Sequence, residues 1–213
     1  MLPSERLKII FSVLPDCKKF ADVGCDHGYI AKEMLVSGKA EKVIASDISS
    51  PSLNKAREQL APFPESSECI LSDGLKNIPS DTDLVLIAGM GGEEIKTILL
   101  SAPFLPEKLV VQPMKNADKL RKTLLSLGYA FKKDFMFKDV KFYDLIILQK
   151  GVDSLTEDEI LFGRDNLKEK NEAFGEYLEK EILKYEKILS GELDEAVRID
   201  IQKKKDKLTE VYG

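Results

Sequence analysis

Residues 20–29 read Phe-Ala-Asp-Val-Gly-Cys-Asp-His-Gly-Tyr, a short apolar run that leads into a glycine turn carrying two carboxylates. A dinucleotide-binding turn has the pattern G-x-G-x-x-G, because its glycines let the backbone approach a pyrophosphate at a helix N-terminus. Here Gly24 is followed by Cys25 and then by Asp26, where the second glycine would stand. A carboxylate at that point would repel a diphosphate, so the turn predicts a different ligand.

The same turn suits a ligand that carries positive charge and hydroxyl groups. S-adenosylmethionine has an ammonium, a sulfonium and a ribose diol but no phosphate, and Asp22, Asp26 and open glycine backbone are suitable partners for these groups. We therefore predict that S-adenosylmethionine is the cofactor. Residues 22–28 follow the pattern D-x-G-x-D-x-G, which is the form that this turn takes in class I methyltransferases.

Composition limits the size and the cellular setting of the protein. A chain of 213 residues, 43% of them hydrophobic, can bury one core and a smaller appendage. No apolar run approaches the roughly 20 residues of a membrane helix, and the N-terminal residues are charged and amphipathic, so we expect a cytoplasmic protein without a membrane partner. Cys17, Cys25 and Cys69 are unclustered, which predicts reduced thiols and no metal site.

Charge is unevenly distributed along the chain. The net charge is −5, and residues 153–213 hold 17 acidic but only 11 basic side chains. Residues 115–150 instead hold nine basic side chains against four acidic ones. Such a local surplus could bind a polyanion, or it could be a solvated face that keeps the protein in solution, and the count alone does not decide between them.

Strand and helix patterns alternate in the first two thirds of the chain. Short β-rich runs lie near 19–23, 42–46, 68–71, 83–88 and 108–112, and helical patterns lie near 4–14, 28–37, 51–60, 91–100 and 116–127. This alternation predicts a doubly wound parallel sheet. Two further runs, Ala130–Phe137 and Phe142–Gln149, predict an adjacent antiparallel pair. The prediction is an α/β fold with a seven-stranded, Rossmann-like sheet.

Beyond Gly151 the pattern changes to long helices. Apolar positions recur at helical spacing from Arg164 to Leu189, and a second charged helix follows the break at Ser190-Gly191. We expect a catalytic domain over 1–152 and an antiparallel, coiled-coil-type helical hairpin over 153–213. The hairpin could be a structural clamp, a dimer contact or an arm that binds RNA, and we expect a monomer or a weak homodimer.

Acidic and glycine residues follow the predicted strands. Asp47 stands 23 residues beyond Gly24, where a carboxylate can accept both ribose hydroxyls, and Asp73-Gly74 after the third strand can contact adenine. Ordinary turns explain each of these features when it is taken alone. The fourth strand ends in Ala88-Gly-Met-Gly-Gly92, whose glycines allow close approach of the methyl donor or a target base. Met90 could contact that base or pack in the core.

Three motifs together resemble one family. Asp22-Val-Gly-Cys-Asp-His-Gly-Tyr29, Ala88-Gly-Met-Gly-Gly92 and Val111-Gln-Pro-Met-Lys-Asn116 with a following Leu-Arg are similar to the bacterial tRNA adenine-N1 methyltransferases that modify adenine 22 in the D-arm. Members commonly have Ser and Ala where this chain has Cys25 and Gly28. The resemblance implies a class I methyltransferase that uses S-adenosylmethionine, needs no metal and contacts tRNA partly through the hairpin. Lys203, Lys204, Lys205 and Lys207 are the candidate basic face.

The candidate site residues fall into three groups. For the cofactor they are Asp22, Gly24, Cys25, Asp26, Gly28, Asp47, Ile48, Asp73, Gly74, Ala88, Gly89 and Met90. For catalysis they are Asp26, His27 and Tyr29, where His27 could accept a proton, position a ligand or be structural, and Tyr29 could stack on the target base or only pack. For the substrate they are Gly91, Gly92, Gln112, Lys115, Asn116 and Arg121.

We expect Gln112 to bond a base edge, and Lys115 and Arg121 to bond phosphates, although a proline-shaped turn with Asn116 as helix N-cap explains the same residues. The predicted reaction is methyl transfer to N1 of adenine 22 in tRNA. Alternatives are methylation of another nucleic acid or a small molecule, a non-catalytic module that binds cofactor or RNA, and, more distantly, a nicotinamide oxidoreductase, which Asp26 opposes.

Overall fold

The computed structural model describes residues 2–213 and contains one mixed sheet of seven strands in the order β3-β2-β1-β4-β5-β7-β6. Strands β1 to β5 are parallel, and β7 and β6 join antiparallel at one side. The predicted Rossmann-like fold is thereby confirmed. The strands are β1 Cys17–Val23, β2 Ala40–Asp47, β3 Ser67–Leu71, β4 Leu84–Met90, β5 Lys108–Pro113, β6 Tyr129–Lys138 and β7 Phe142–Lys150.

Helices cover both faces of this sheet and then continue beyond it. Their bounds are α1 Glu5–Val13, α2 Tyr29–Val36, α3 Ser50–Leu60, α4 Gly92–Leu100, α5 Ala117–Ser126, α6 Glu157–Phe162, α7 Arg164–Glu169, α8 Glu172–Leu189 and α9 Glu195–Tyr212. Ser4 caps α1, because its Oγ accepts a hydrogen bond from the Leu7 amide at 3.3 Å.

Alternating side chains of the central strands fill two cores. On β1, Phe20 packs into the layer formed with α1, α2 and α3, whereas Ala21 and Val23 pack into the layer formed with α4 and α5. Strands buried on both faces need apolar residues at every position, which explains the continuous apolar runs in the sequence. The polar positions of these strands therefore lie toward their two ends, and those near the carboxyl ends include Asp22, Asp47 and Gln112.

The outer edge of β6 is covered by side chains of the following segment. The amides of Phe131, Asp134 and Met136 donate hydrogen bonds to Asp153 (2.9 Å), Asp165 (2.7 Å) and Asn166 (2.7 Å). An uncovered edge strand would offer these groups to another chain. Helices α6 and α7 therefore pack against the sheet, and the division of the chain at residue 153 stays a prediction.

Helices α8 and α9 form the expected antiparallel hairpin. Its base packs Phe174, Leu178, Leu208 and Val211 around Met136 of β6. The helical pattern from Arg164 to Leu189 is two helices rather than one, because the chain turns at 170–171. Lys170 has a left-handed φ of 44°, and the side chain of the next residue caps α8.

Candidate functional site

The turn after β1 is held against β2 by its backbone. The amides of Gly24 and Cys25 both donate hydrogen bonds to the carbonyl oxygen of Ser46, at 2.8 and 2.9 Å. Gly24 has a φ of 72°, and a Cβ placed there would lie 2.1 Å from Cε of Met90. The turn therefore requires glycine, and it brings the ends of β1 and β4 into contact.

Asp47 joins the ends of β1 and β2. Its Oδ2 accepts a hydrogen bond from the Asp26 amide at 3.3 Å, and its Oδ1 accepts one from the Ser49 amide at 2.8 Å. Asp26 itself has a φ of 48°, a conformation that costs free energy for a residue with a side chain. Such local strain is common at binding sites, where the surrounding contacts impose it.

A cleft of about 530 Å³ lies beyond the carboxyl ends of β1 to β4. Nine of the predicted site residues line it: Gly24, Asp26, Asp47, Ile48, Asp73, Gly74, Ala88, Gly89 and Met90. The Ile48 side chain is 72% exposed, although it is fully apolar. Carboxylates for hydroxyl groups and apolar side chains for a flat ring are thus combined at one edge of the sheet.

A smaller cavity of about 80 Å³ continues from the cleft toward α1 and α2, and the two share Gly24, Asp26 and Ala88. Asp22, Cys25, His27 and Tyr29 are among the residues that line the smaller cavity. Gly28 lines neither space. A Cβ at Gly28 would lie 2.9 Å from Cβ of Ala56, so this glycine lets α2 pack closely on α3.

Asp22 is the most deeply buried carboxylate of the site. Burial raises the pKa of Asp22 to about 7, the Ala31 amide opposes this by donating a hydrogen bond, and the charge of Asp47 adds to it. A cation bound beside Asp22 would favour its ionised form. The smaller cavity is therefore suited to a positively charged group.

His27 and Tyr29 form a stacked pair at the mouth of the smaller cavity. Their ring centroids are 5.3 Å apart with an interplanar angle of 11°. Nε2 of His27 lies 3.6 Å from a carboxylate oxygen of Asp26 and 3.4 Å from Nζ of Lys55. The pair therefore presents a flat aromatic surface next to charged groups, which suits stacking of a planar ligand.

Arg6 of α1 is a site residue that the sequence reasoning missed. It lines both the cleft and the smaller cavity, and its Nη1 donates a 2.7 Å hydrogen bond to Oε1 of Gln112. Nη1 also lies 3.4 Å from where a Cβ on Gly89 would stand. Among the described residues that line the two spaces, Arg6 is the one lysine or arginine. Only its position in three dimensions identifies it, since it falls in an ordinary amphipathic helix.

The turn after β5 is bonded to the turn after β4. The Met114 amide donates to the Met90 carbonyl oxygen at 2.8 Å, and the Gly92 amide donates to the Lys115 carbonyl oxygen at 2.9 Å. A Cβ at Gly92 would lie 2.5 Å from the carbonyl oxygen of Asn116, so glycine is required there as well. The Lys115 side chain is exposed and passes over Gly91, 3.4 Å from that residue's Cβ position.

Two predicted substrate contacts of this region are wrong in the structure. The Gln112 side chain is fully buried and is used by Arg6 and by the Pro113 carbonyl oxygen, so it offers nothing to a base edge. Asn116 is the N-cap residue of α5 with a φ of 57°, and its side chain makes no capping hydrogen bond.

Arg121, like Gln112, is a predicted substrate contact that the structure contradicts. Its side chain is 1% exposed, and its guanidinium donates to both carboxylate oxygens of Asp134 (2.7 and 2.8 Å), to Asp144 (2.7 Å) and to the Ile160 carbonyl oxygen (3.2 Å). Burial alone would lower the pKa of Arg121, but Asp144 and Asp134 hold it above its usual value. The residue is an interior ion-pair partner and is not available to a phosphate.

The basic face proposed for the hairpin is largely neutralised. Lys204 pairs with Asp200 at 2.6 Å, Lys205 with Glu186 at 3.5 Å, and Lys207 with Asp158 at 2.7 Å. Lys203 makes no ion pair with any residue between 2 and 213. The positive charge that these four residues present to a polyanion is therefore smaller than their number suggests.

Membrane-spanning helices and metal-ligand clusters are absent from residues 2–213. No helix within residues 2–213 is long and apolar enough to cross a membrane. Over the same residues, no group of three or more histidine, cysteine, aspartate or glutamate side chains is arranged to hold a metal ion.

Comparison with known proteins gives a consistent match. Residues 20–212 match the family model described as TrmK, tRNA (adenine(22)-N(1))-methyltransferase. The chain is 28% identical over 221 aligned positions to the tRNA (adenine(22)-N(1))-methyltransferase of Bacillus subtilis, an alignment that covers 98% of this chain and 92% of that protein.

Solved structures agree with the sequence match. The M. capricolum TrmK structure, solved with S-adenosyl-homocysteine, is 27% identical and superposes with a TM-score of 0.89, covering 100% of this chain and 98% of that one. A Streptococcus pneumoniae protein solved with S-adenosyl-L-methionine is 26% identical, with a TM-score of 0.89 and full coverage of both chains.

Proposed function

The chain belongs to the tRNA (adenine(22)-N(1))-methyltransferase family, and we propose that the cleft beyond β1 to β4 is where it binds cofactor and target adenine. The protein is an S-adenosylmethionine-dependent enzyme that methylates N1 of adenine 22 in tRNA. The observation that carries the proposal is the convergence of Gly24, Asp26 and Asp47 on one cleft. Gly24 and Asp26 lie in the turn after β1 and Asp47 ends β2, and they meet where open α/β sheets bind ligands.

The residues present fit the adenosine part of S-adenosylmethionine. Asp47 is held by two backbone amides, so its carboxylate is positioned in advance to accept the ribose hydroxyls. Ile48 would cover one face of the adenine ring, which accounts for an apolar side chain left 72% exposed. Asp73 and Gly74 would contact the edge of the ring from the end of β3.

The smaller cavity fits the methionine part of the cofactor. Asp22 and Asp26 would accept hydrogen bonds from its ammonium group, and the guanidinium of Arg6 would pair with its carboxylate. Cys25 adds a buried apolar wall between them. This arrangement places opposite charges beside both charged groups of the ligand, which favours one orientation of the cofactor.

The bound cofactor supplies an electrophilic methyl group on a sulfonium. N1 of neutral adenine has its lone pair in the ring plane, so this chain has to align the base rather than remove a proton first. Met90 and Gly89 would form the floor on which the base lies, and the His27–Tyr29 pair would stack on it. The carboxylate of Asp26 would stabilise the positive charge that the base acquires when it takes the methyl group.

Lys115 would contact a phosphate of the tRNA beside the target nucleotide, since it is exposed and lies over Gly91. We propose a monomer or a weak homodimer as the working form. Light scattering on the purified protein would determine the oligomeric state. A tRNA substrate also favours a cytoplasmic location.

The test is transfer of labelled methyl from S-adenosylmethionine to unmodified bacterial tRNA, followed by nucleoside mass spectrometry and mapping of the modified position. We expect 1-methyladenosine at position 22, and loss of both cofactor binding and transfer in Asp47→Ala. Asp81→Asn, which changes an exposed carboxylate paired with Lys19, should retain full activity. Labelling of a different nucleoside would contradict the proposal.

A further inference from the structure

A second cavity of about 470 Å³ lies between the sheet and the hairpin, outside the cofactor cleft. We name it the hairpin groove and define it by six lining residues, Lys115, Phe142, Asp144, Tyr177, Glu181 and Tyr185. Its volume is in the range of sites that hold small organic ligands. Its walls combine aromatic rings, carboxylates and lysines with the apolar side chains of Met114, Met136, Leu161 and Leu208.

The hairpin groove begins next to the place where the methyl group is transferred. Lys115 lines the groove and lies 3.4 Å from the Cβ position of Gly91. The turns that carry these residues are joined by the hydrogen bond from the Met114 amide to the Met90 carbonyl oxygen. A strand of RNA with its target base over Met90 would therefore have its neighbouring nucleotides close to the groove.

The two tyrosines offer flat surfaces at this groove. Lys184 Nζ lies 5.7 Å from the ring centroid of Tyr185, and the Phe142 ring is already contacted by Lys138 and Lys180, each with Nζ 5.6 Å from its centroid. The rings of Phe142 and Tyr177 meet edge to face with centroids 5.8 Å apart. Tyr185 follows Tyr177 on α8 by eight residues, which is about two helical turns. All three side chains are half-buried. Neither tyrosine hydroxyl has a hydrogen-bond partner among residues 2–213, so both can bond to a ligand.

Two carboxylates, those of Asp144 and Glu181, line the same groove, and each has one oxygen that accepts no hydrogen bond in the described chain. Asp144 accepts from Arg121 through Oδ1, and Glu181 accepts from Lys184 through Oε2 at 2.8 Å, which leaves Oδ2 and Oε1 without a donor in the described chain. Burial, followed by the charges of Glu181 and Asp144, raises the pKa of Tyr177 to about 12. Both carboxylates are therefore close to that ring.

We infer that the hairpin groove binds one unpaired guanine of the tRNA substrate, stacked on the tyrosine rings with its Watson–Crick edge donating to Glu181 or Asp144. Guanine fits because its N1–H and N2–H groups lie side by side and match a carboxylate, whereas adenine and cytosine offer a single amino group on that edge. Lys115 at the rim can contact a phosphate of the same strand. The inference rests on the proposed function and adds a second base contact to it.

The first test compares steady-state kinetics of matched variants. Tyr185→Ala should raise the KM for tRNA about tenfold, the effect of one lost stacking contact, with little change in kcat or in the KM for S-adenosylmethionine. Glu181→Gln should raise the KM for tRNA severalfold. Glu179→Gln changes an exposed carboxylate of α8 that does not line the groove, and Tyr212→Ala removes an exposed tyrosine outside the groove, so both should behave as the parent.

Tyr185→Phe serves as a second variant if Tyr185→Ala unfolds, because it keeps the ring and should retain most of the affinity. Equal KM values for the parent, Tyr185→Ala and Glu181→Gln would overturn the inference while leaving the methylation activity intact. Absence of methyl transfer by the parent would instead reject the proposed function, and the groove would then be judged by RNA binding alone.

The second test identifies the base directly. A benzophenone amino acid at position 185 should cross-link one unpaired nucleotide of bound tRNA, and we expect a guanosine. Replacing that guanosine with inosine removes the N2 amino group and should weaken binding to the parent but not to Glu181→Gln. A cross-link to adenosine, to a paired nucleotide or to no RNA at all would overturn the guanine assignment.

Discussion

Asp22 shows how one buried residue can link ligand binding to pH. Its pKa is raised to about 7, above the roughly 3.9 of an aspartate in an unfolded chain. The folded protein therefore binds this proton more tightly than the unfolded protein. The contribution of Asp22 to stability is fully present below about pH 4 and is lost as the pH rises through about 7.

We predict that Asp22→Asn removes this loss, so that the variant gains stability relative to the parent at pH 8 but not at pH 4. Urea unfolding at the two pH values measures the difference, and Glu65→Gln, a change at an exposed carboxylate, is the control.

Cofactor binding to the parent at pH 6.5 should also release a proton from Asp22. Calorimetric titration in buffers of different ionisation enthalpy would detect it, and an identical heat in all buffers would argue against the proposed ammonium contact.

Ser46 provides a second prediction at the level of a single residue. Its hydroxyl is buried without a hydrogen-bond partner among the described residues, while its carbonyl oxygen holds the turn after β1. Since an unsatisfied buried hydroxyl costs free energy, Ser46→Ala should raise the free energy of unfolding by about 1 kcal/mol.

The matched control is Ser72→Ala. The Ser72 hydroxyl donates to the Gly74 carbonyl oxygen at 2.9 Å and accepts from the Asn77 amide at 3.1 Å. Its removal should lower the free energy of unfolding by about 1 kcal/mol. Chemical denaturation of both variants gives the sign of each change in the free energy of unfolding. An equal decrease in both variants would show that the Ser46 hydroxyl has a hydrogen-bond partner in solution.

At the scale of elements, Arg121 of α5 ties together β6, β7 and α6. It pairs with Asp134 and Asp144 and also donates to the Ile160 carbonyl oxygen. Replacing it with methionine keeps much of the volume but leaves the buried carboxylate of Asp134 and the half-buried carboxylate of Asp144 without this cation. We predict that Arg121→Met lowers the free energy of unfolding by about 3–5 kcal/mol.

Lys122→Ala is the control for this change, because the adjacent lysine is exposed and pairs with Glu157 only across 3.5 Å. Its cost should be within about 0.5 kcal/mol. Urea unfolding measures both variants. A triple variant in which Asp134 and Asp144 also become asparagine should recover part of the loss, and failure to do so would exclude unpaired charge as its cause.

The sequence predicts the sheet well for a physical reason. Buried parallel strands are short apolar runs bounded by polar turns, and their carboxyl ends must meet, so Gly24, Asp47 and Asp73 could be placed in one cleft. Helix breaks are less visible. The apolar spacing continues across 170–171, where a single left-handed residue separates α7 from α8.

Burial of charge was the feature that the sequence could not predict. Arg121 follows a turn near other basic residues, a pattern that predicts a phosphate ligand, but its partners lie 13 and 23 residues away on other elements. Arg6 reaches the site only because α1 packs beside the end of β4. The local sequence does not show which distant carboxylates and cavities a side chain will meet, although these determine its role.

At the scale of the whole molecule, binding of tRNA by a protein of net charge −5 depends on which lysines are left unpaired. Lys205 is paired with Glu186 within the hairpin, and the pair presents no net charge to RNA. Lys115 makes no ion pair among residues 2–213 and lies between the cofactor cleft and the hairpin groove. We therefore expect Lys115 to contact a phosphate and to release a counterion from the tRNA on binding.

The last prediction follows from this difference. Lys115→Gln should reduce the slope of log affinity for tRNA against log salt concentration by about 0.7–0.9, the value for one phosphate contact, whereas Lys205→Gln should leave the slope unchanged. Binding of tRNA to the protein saturated with S-adenosyl-homocysteine, measured by fluorescence anisotropy at several salt concentrations, gives both slopes without turnover. Equal reductions would mean that the Lys205–Glu186 pair opens on binding, so that the hairpin contacts RNA through charges that are paired in the free protein. An unchanged slope for Lys115→Gln would place the RNA backbone away from the turn after β5.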